Sequence, residues 1–110
     1  MSALSTLHRD AQPYADFIVR VARDNGLNPR ITSVRRSTTK QRALYRRWQQ
    51  GLSRYPVAKP GTSTHELGLA FDMVVTPMTA LKPLGELWER LGFTWGGRFN
   101  DPIHFDFRLR

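Results

Sequence analysis

Leu67-Gly-Leu-Ala-Phe-Asp-Met-Val-Val75 reads as a mostly buried strand: a short apolar run that ends in β-branched valines. One carboxylate, Asp72, interrupts it, and a carboxylate is costly to bury unless it is paired, hydrogen-bonded or bound to a metal. Upstream, residues 52–64 hold two prolines, a glycine and several hydroxyl residues, which predicts a loop. Before that loop, residues 38–50 should form a helix burying Leu44, Tyr45 and Trp48 and stopping at Gly51, and Arg30-Ile-Thr-Ser-Val34 a short strand. Apolar residues from Leu4 to Ala22 recur every three or four positions, predicting a helix over about residues 5–25 that Pro13 either starts or kinks. Downstream, residues 77–91 carry Leu81, Leu84, Leu87, Trp88 and Leu91 at helical spacing. After Gly92, residues 93–95 and 103–107 read as two closing strands around Gly96-Gly97. The expected fold is a small single-domain α+β protein, a mostly antiparallel sheet packed by two or three helices. Its expected division is a helical segment over residues 1–29 and a sheet core over residues 30–110, with the chemistry at the sheet.

A chain of 110 residues and 12.7 kDa suits one domain with one core. Seventeen Lys and Arg against nine Asp and Glu leave a formal charge of +8, so anionic partners are expected: nucleic acid, an acidic membrane or an anionic cell-wall polymer. The absence of cysteine excludes disulfides, thiolate zinc sites and cysteine nucleophiles. Any metal must be held by carboxylates and the three histidines. No apolar run reaches the roughly 20 residues that span a bilayer. The N-terminal stretch lacks a basic start followed by a long apolar segment, so synthesis in the cytoplasm without a secretory signal is expected.

His65 closes the loop before the Asp72 strand, and Asp101-Pro-Ile-His104 puts a second histidine on a short apolar strand, three residues after a carboxylate. His65, Asp72 and His104 together make a facial set of two imidazoles and one carboxylate. Such a set leaves one position open, as a catalytic zinc requires. Asp101 is then left over to take a proton from water as general base. The plain alternative is that Asp72 only accepts backbone hydrogen bonds. His65-Glu66 does not open a His-Glu-x-x-His zinc helix, because position 69 is Leu, and Glu66 is assigned a solvated or supporting role.

These residues resemble a family. Ser63-Thr-His-Glu-Leu-Gly-Leu-Ala-Phe-Asp72, followed by Trp95-Gly-Gly97 and Asp101-Pro-Ile-His-Phe105, is similar to zinc peptidases that cleave peptidoglycan stem peptides. These are the D-alanyl-D-alanine carboxypeptidases and the related L-alanyl-D-glutamate endopeptidases, which include phage endolysins. Ile31-Thr-Ser-Val-Arg-Arg36-Ser37, with Gln41, lies close to the family's Ser-x-x-Arg-Ser-x-x-x-Gln pattern. The resemblance implies Zn2+ on His65, Asp72 and His104, with Asp101 as the catalytic base. It implies that Arg36 binds substrate or polarises the scissile carbonyl, a role suited to a fixed guanidinium. Many carboxypeptidase members carry Glu at the base position, so Asp101 with its Pro-containing spacer looks more like the endopeptidase and endolysin branch. Val34 and Arg35 stand where the family has a small and an aromatic residue, which leaves Arg35 and Arg36 both as candidates for the site.

Ser37, Gln41, Ser63 and Trp95 are further candidates for substrate contact, the last three each with a structural alternative. Thr38-x-x-Gln41 also reads as a capping box, Ser63 as a turn residue and Trp95 as a core aromatic. His8 reads as an exposed helix residue. The expected function is a zinc-dependent L-alanyl-D-glutamate endopeptidase acting as a monomer on the cell wall after release. The alternatives are a D-alanyl-D-alanine carboxypeptidase or a non-catalytic domain that only grips wall peptides. A nucleic-acid binder ranks last, since no recognition motif accompanies the charge.

Overall fold

The computed structural model of the protein describes residues 3–109; Met1, Ser2 and Arg110, which belong to the expected terminal segments, lie outside the described residues. Seven elements alternate along the chain: α1 (Gln12–Asp24), β1 (Arg30–Ser33), α2 (Thr38–Gln49), β2 (Ala70–Val74), α3 (Leu81–Arg90), β3 (Thr94–Trp95) and β4 (His104–Asp106). The four strands pair antiparallel in the order β1-β2-β4-β3. This is the expected α+β architecture.

Successive side chains of a strand face opposite sides of the sheet. Phe71, Met73 and Phe105 therefore share one side, and there they pack with Ala15, Ile18 and Ala22 of α1 and Leu81, Leu84 and Trp88 of α3. Phe71 stacks on Phe105 with ring centroids 5.3 Å apart, and Trp88 meets both edge-on. Truncating such a buried aromatic to Ala costs about 3–5 kcal/mol. Asp72, His104 and Asp106 take the opposite side by the same alternation. The register sets Asp72 directly across from His104 and Ala70 across from Asp106. One strand thus carries core residues and a buried carboxylate without conflict, since only one of its faces belongs to the apolar core.

Three expectations about local structure need correction. The first helix does not run from residue 5; Ala3–Thr6 form a separate 3-10 turn and α1 begins at Gln12, with Pro13 in its first turn. Proline has no N–H to donate and its ring clashes with the carbonyl four residues back, so the helix can start there but not pass through. Leu4 and Leu7 still reach the core, and His8 sits exposed between the two elements rather than in a helix. Second, α2 buries less than its apolar spacing implies. Only Gln41 is fully buried, Leu44 and Tyr45 are half-buried, and Trp48 is exposed. Third, the start of the expected strand at residues 67–69 is not extended. Thr64–Leu67 form a 3-10 turn that ends at Gly68 in the left-handed region, φ 70°. A side chain on Gly68 would also crowd the backbone of Thr6 and His8, whose N–H donates to the Gly68 carbonyl at 2.8 Å.

Candidate metal centre

His65 is fixed from three directions. Ser63 caps the Thr64–Leu67 turn, its Oγ accepting the His65 N–H at 3.2 Å, and Glu66 reaches back to accept from the N–H groups of Ser63 and Gly61. This capping box, and not one at Thr38, is the real one; α2 is capped by Ser37, whose Oγ accepts from Lys40 N–H. The His65 ring then donates Nδ1–H to the Val34 carbonyl at 2.6 Å. That bond fixes the tautomer and leaves the Nε2 lone pair facing the sheet.

His104 is oriented from its other edge. Its Nε2–H donates to Asp106 Oδ2 at 2.9 Å, so Nδ1 faces inward. Asp106 is fully buried and also accepts from the backbone and guanidinium of Arg108. The inward groups of His65, His104 and Asp72 converge: Nε2 to Oδ1 is 3.1 Å, Nε2 to Nδ1 3.2 Å and Nδ1 to Oδ1 3.3 Å. Ligands about 2.0–2.1 Å from a tetrahedral zinc stand about 3.3 Å from one another. Two imidazole lone pairs and a carboxylate oxygen facing one another repel unless a cation lies among them. The residues present therefore fit a zinc ion.

The metal-free electrostatics report the same demand. Burial disfavours charge on His104, yet hydrogen bonds to Asp106 and Asp72 outweigh it and push the imidazolium up to about 9. Burial likewise opposes ionisation of Asp72, but the hydrogen bond from the imidazolium of His104 holds its carboxyl well below the usual range. A proton on Nδ1 takes the place that a metal ion would fill.

Arg36 lies beside this centre, whereas Arg35 is exposed. Its Nη2–H donates to Asp72 Oδ2 at 2.9 Å, Nη1–H to Gln41 Oε1 at 3.1 Å and Nε–H to Ser33 Oγ at 2.8 Å. Gln41 in turn donates to the Ala58 carbonyl at 2.8 Å, tying α2 to the loop beyond it. Asp101 is held by its backbone, which accepts from His104 N–H and donates to the Gly96 carbonyl. Burial, then the charge of Asp72, pushes its carboxyl up to about 6 against the pull of both histidines and Arg36.

Arg36, Gln41, Ser63, His65, Asp72, Asp101 and His104 all line one cleft of about 500 Å³. Two expected contacts do not. Ser37 is exposed and spends its hydroxyl on the cap of α2. Trp95 is buried: its ring packs against Gly85 and Gly97, where a Cβ would overlap it, and its Nε1–H donates to the Pro102 carbonyl at 2.8 Å. It props the loop that carries Asp101. Asp106 escaped the sequence reading, although its position two residues after His104 on a strand already placed both on one face.

The sequence matches the family described as VanY, D-alanyl-D-alanine carboxypeptidase, over residues 4–96. The chain belongs to the VanY family. Its ligand set, Asp72 and His104 from one sheet face and His65 from the turn before β2, makes it a zinc metallopeptidase in which His65, Asp72 and His104 form the metal-binding triad. His104 lies beyond the matched residues, and strand register alone brings it to Asp72. Among solved structures, a vancomycin-resistance D,D-pentapeptidase VanY variant from a VanB-type cassette, in complex with Zn(II), is 25% identical. The match covers 92% of this chain and 72% of that one, with a TM-score of 0.70. VanYB in complex with D-alanine-D-alanine is 24% identical over 92% and 71% of the two chains, TM-score 0.71. The LD-carboxypeptidase LdcB is 22% identical over 94% and 66%, TM-score 0.71. No curated protein matches the sequence.

Proposed function

We propose that this VanY-family peptidase cuts an internal amide of the peptidoglycan stem peptide, between L-alanine and D-glutamate, with Asp101 as proton carrier and Arg36 as carbonyl ligand. One observation carries the reading: Asp101 and Arg36 line the same cleft as the three convergent metal ligands. Zinc bound by the triad supplies Lewis acidity. Asp101 takes a proton from the attacking water and delivers it to the leaving amine. Arg36 has five N–H donors and spends three on Asp72, Gln41 and Ser33, so two remain for the scissile carbonyl oxygen. The same three bonds hold the guanidinium still, which is what a transition-state ligand needs.

Two features support an internal bond as the target. Asp101 with its Pro-containing spacer resembles the endopeptidase branch. The cleft, lined by residues from Arg36 and Gln41 to Phe99 and Arg108, offers more room than one terminal D-alanine fills. A second reading, D-alanyl-D-alanine carboxypeptidase, is favoured by Arg54. This exposed cleft residue has no carboxylate partner among the described residues and suits a free C-terminus. The relative bound to D-alanine-D-alanine points the same way. In either reading the enzyme works at the cell wall, reached after release. Purified muropeptides incubated with the zinc-loaded enzyme and analysed by mass spectrometry decide between them. Fragments with a new N-terminal D-glutamate are expected; free D-alanine as the product overturns the endopeptidase reading.

A further inference from the structure

Residues 25–65 contain nine basic side chains and no Asp or Glu, while the rest of the chain holds eight basic against nine acidic. The whole positive excess therefore sits on one segment, and α2 is its centre. Gln41, Leu44 and Tyr45 recur at helical spacing and form the inward side of α2, with Trp48 exposed at its margin. Lys40, Arg42, Arg46 and Arg47 lie off that side; all four are exposed, and none has a carboxylate partner among the described residues. A basic face left unpaired costs self-repulsion unless an anion meets it.

We propose that this outward face of α2 is an anchoring surface for the carboxylates of polymeric peptidoglycan, gripping stem peptides next to the one in the cleft. The proposal rests on the reading of the cleft as a stem-peptide site. Gln41 couples the two, because it bonds Arg36 inside the cleft and Ala58 on the cleft loop from the same helix that carries the cations. A polymer with a carboxylate on each repeated stem meets surface and cleft together, so each contact raises the effective concentration of the other. Guanidinium groups match carboxylates two bonds at a time. Phosphodiester polymers of the wall carry the same sign of charge, but only peptidoglycan presents its anions in fixed relation to the bond being cut. A lipid surface fits less well, since surface-binding helices turn a broad apolar face outward and α2 turns arginine outward.

The test is co-sedimentation of the zinc-loaded enzyme with sacculi on ice, where binding is read without turnover. Binding is expected to survive hydrofluoric-acid removal of phosphodiester polymers and to fall about tenfold when sacculus carboxyls are amidated. The triple variant Arg42→Gln, Arg46→Gln, Arg47→Gln should lose the same factor on native sacculi yet hydrolyse a soluble muropeptide at the parent rate. Loss of binding on phosphate removal, or unchanged binding by the triple variant, overturns the proposal. A muropeptide left uncut by every form would count against the cleft reading alone, because sedimentation does not depend on it.

Discussion

Asp106 holds His104 by the outer edge of its ring, accepting Nε2–H at 2.9 Å, so that Nδ1 faces Asp72 and His65. A carboxylate behind a metal-binding imidazole fixes its orientation and raises its basicity. Asp106→Asn keeps the size of the side chain and removes the charge. Zinc affinity should then fall roughly 10–100-fold with the fold intact. Competition against a chromophoric chelator measures the first and circular dichroism the second. Unchanged affinity would mean that Asp106 serves only Arg108.

The triad itself predicts stoichiometry. The parent should carry about one zinc per chain, and His65→Ala, Asp72→Ala and His104→Ala should each lose it, because two remaining ligands hold zinc poorly. Elemental analysis reads this directly; full occupancy in all three variants excludes the set.

Asp101 separates ligand from base. Asp101→Ala should retain zinc while turnover drops at least ~10²-fold, the low end for loss of a general base. Asp101→Glu should recover part of the rate, since the carboxylate is kept on a longer arm. Joint loss of metal and fold in the Ala variant would assign Asp101 a structural role instead.

Trp95 predicts a cost at a distance. A Cβ on Gly85 would overlap the indole, which packs closely against Gly85 and Gly97. Gly85→Ala should therefore destabilise by about 1–3 kcal/mol through overpacking. The thermal midpoint should fall by at least about 4 °C, followed by scanning calorimetry and tryptophan fluorescence. An unchanged midpoint would mean that the ring shifts freely.

The triad was legible in the sequence because polar residues stood where apolar ones belonged: Asp72 inside β2, and His104 at the start of β4. Arg36 and Asp101 came from motif spacing, and the structure brings both into the cleft. What stayed illegible was set by distant partners. Nothing near Trp95 in sequence says that Gly85 of α3 will pack against it. The exposure of Trp48 depends on how little of the chain covers α2, which periodicity does not report. Pro13 could be read two ways until the Ala3–Thr6 turn chose one.

His65 and Asp72 are 7 residues apart, and Asp72 and His104 are 32 apart, yet all three meet at one point. An ion shared by them would close both loops, and because the unfolded chain offers no such site its binding energy would add to the stability of the fold. The sequence has no cysteine with which to make such a tie from sulfur. Zinc has no redox chemistry, so this clasp is indifferent to whether its surroundings are reducing or oxidising. A chelator opens it, and a reductant leaves it shut.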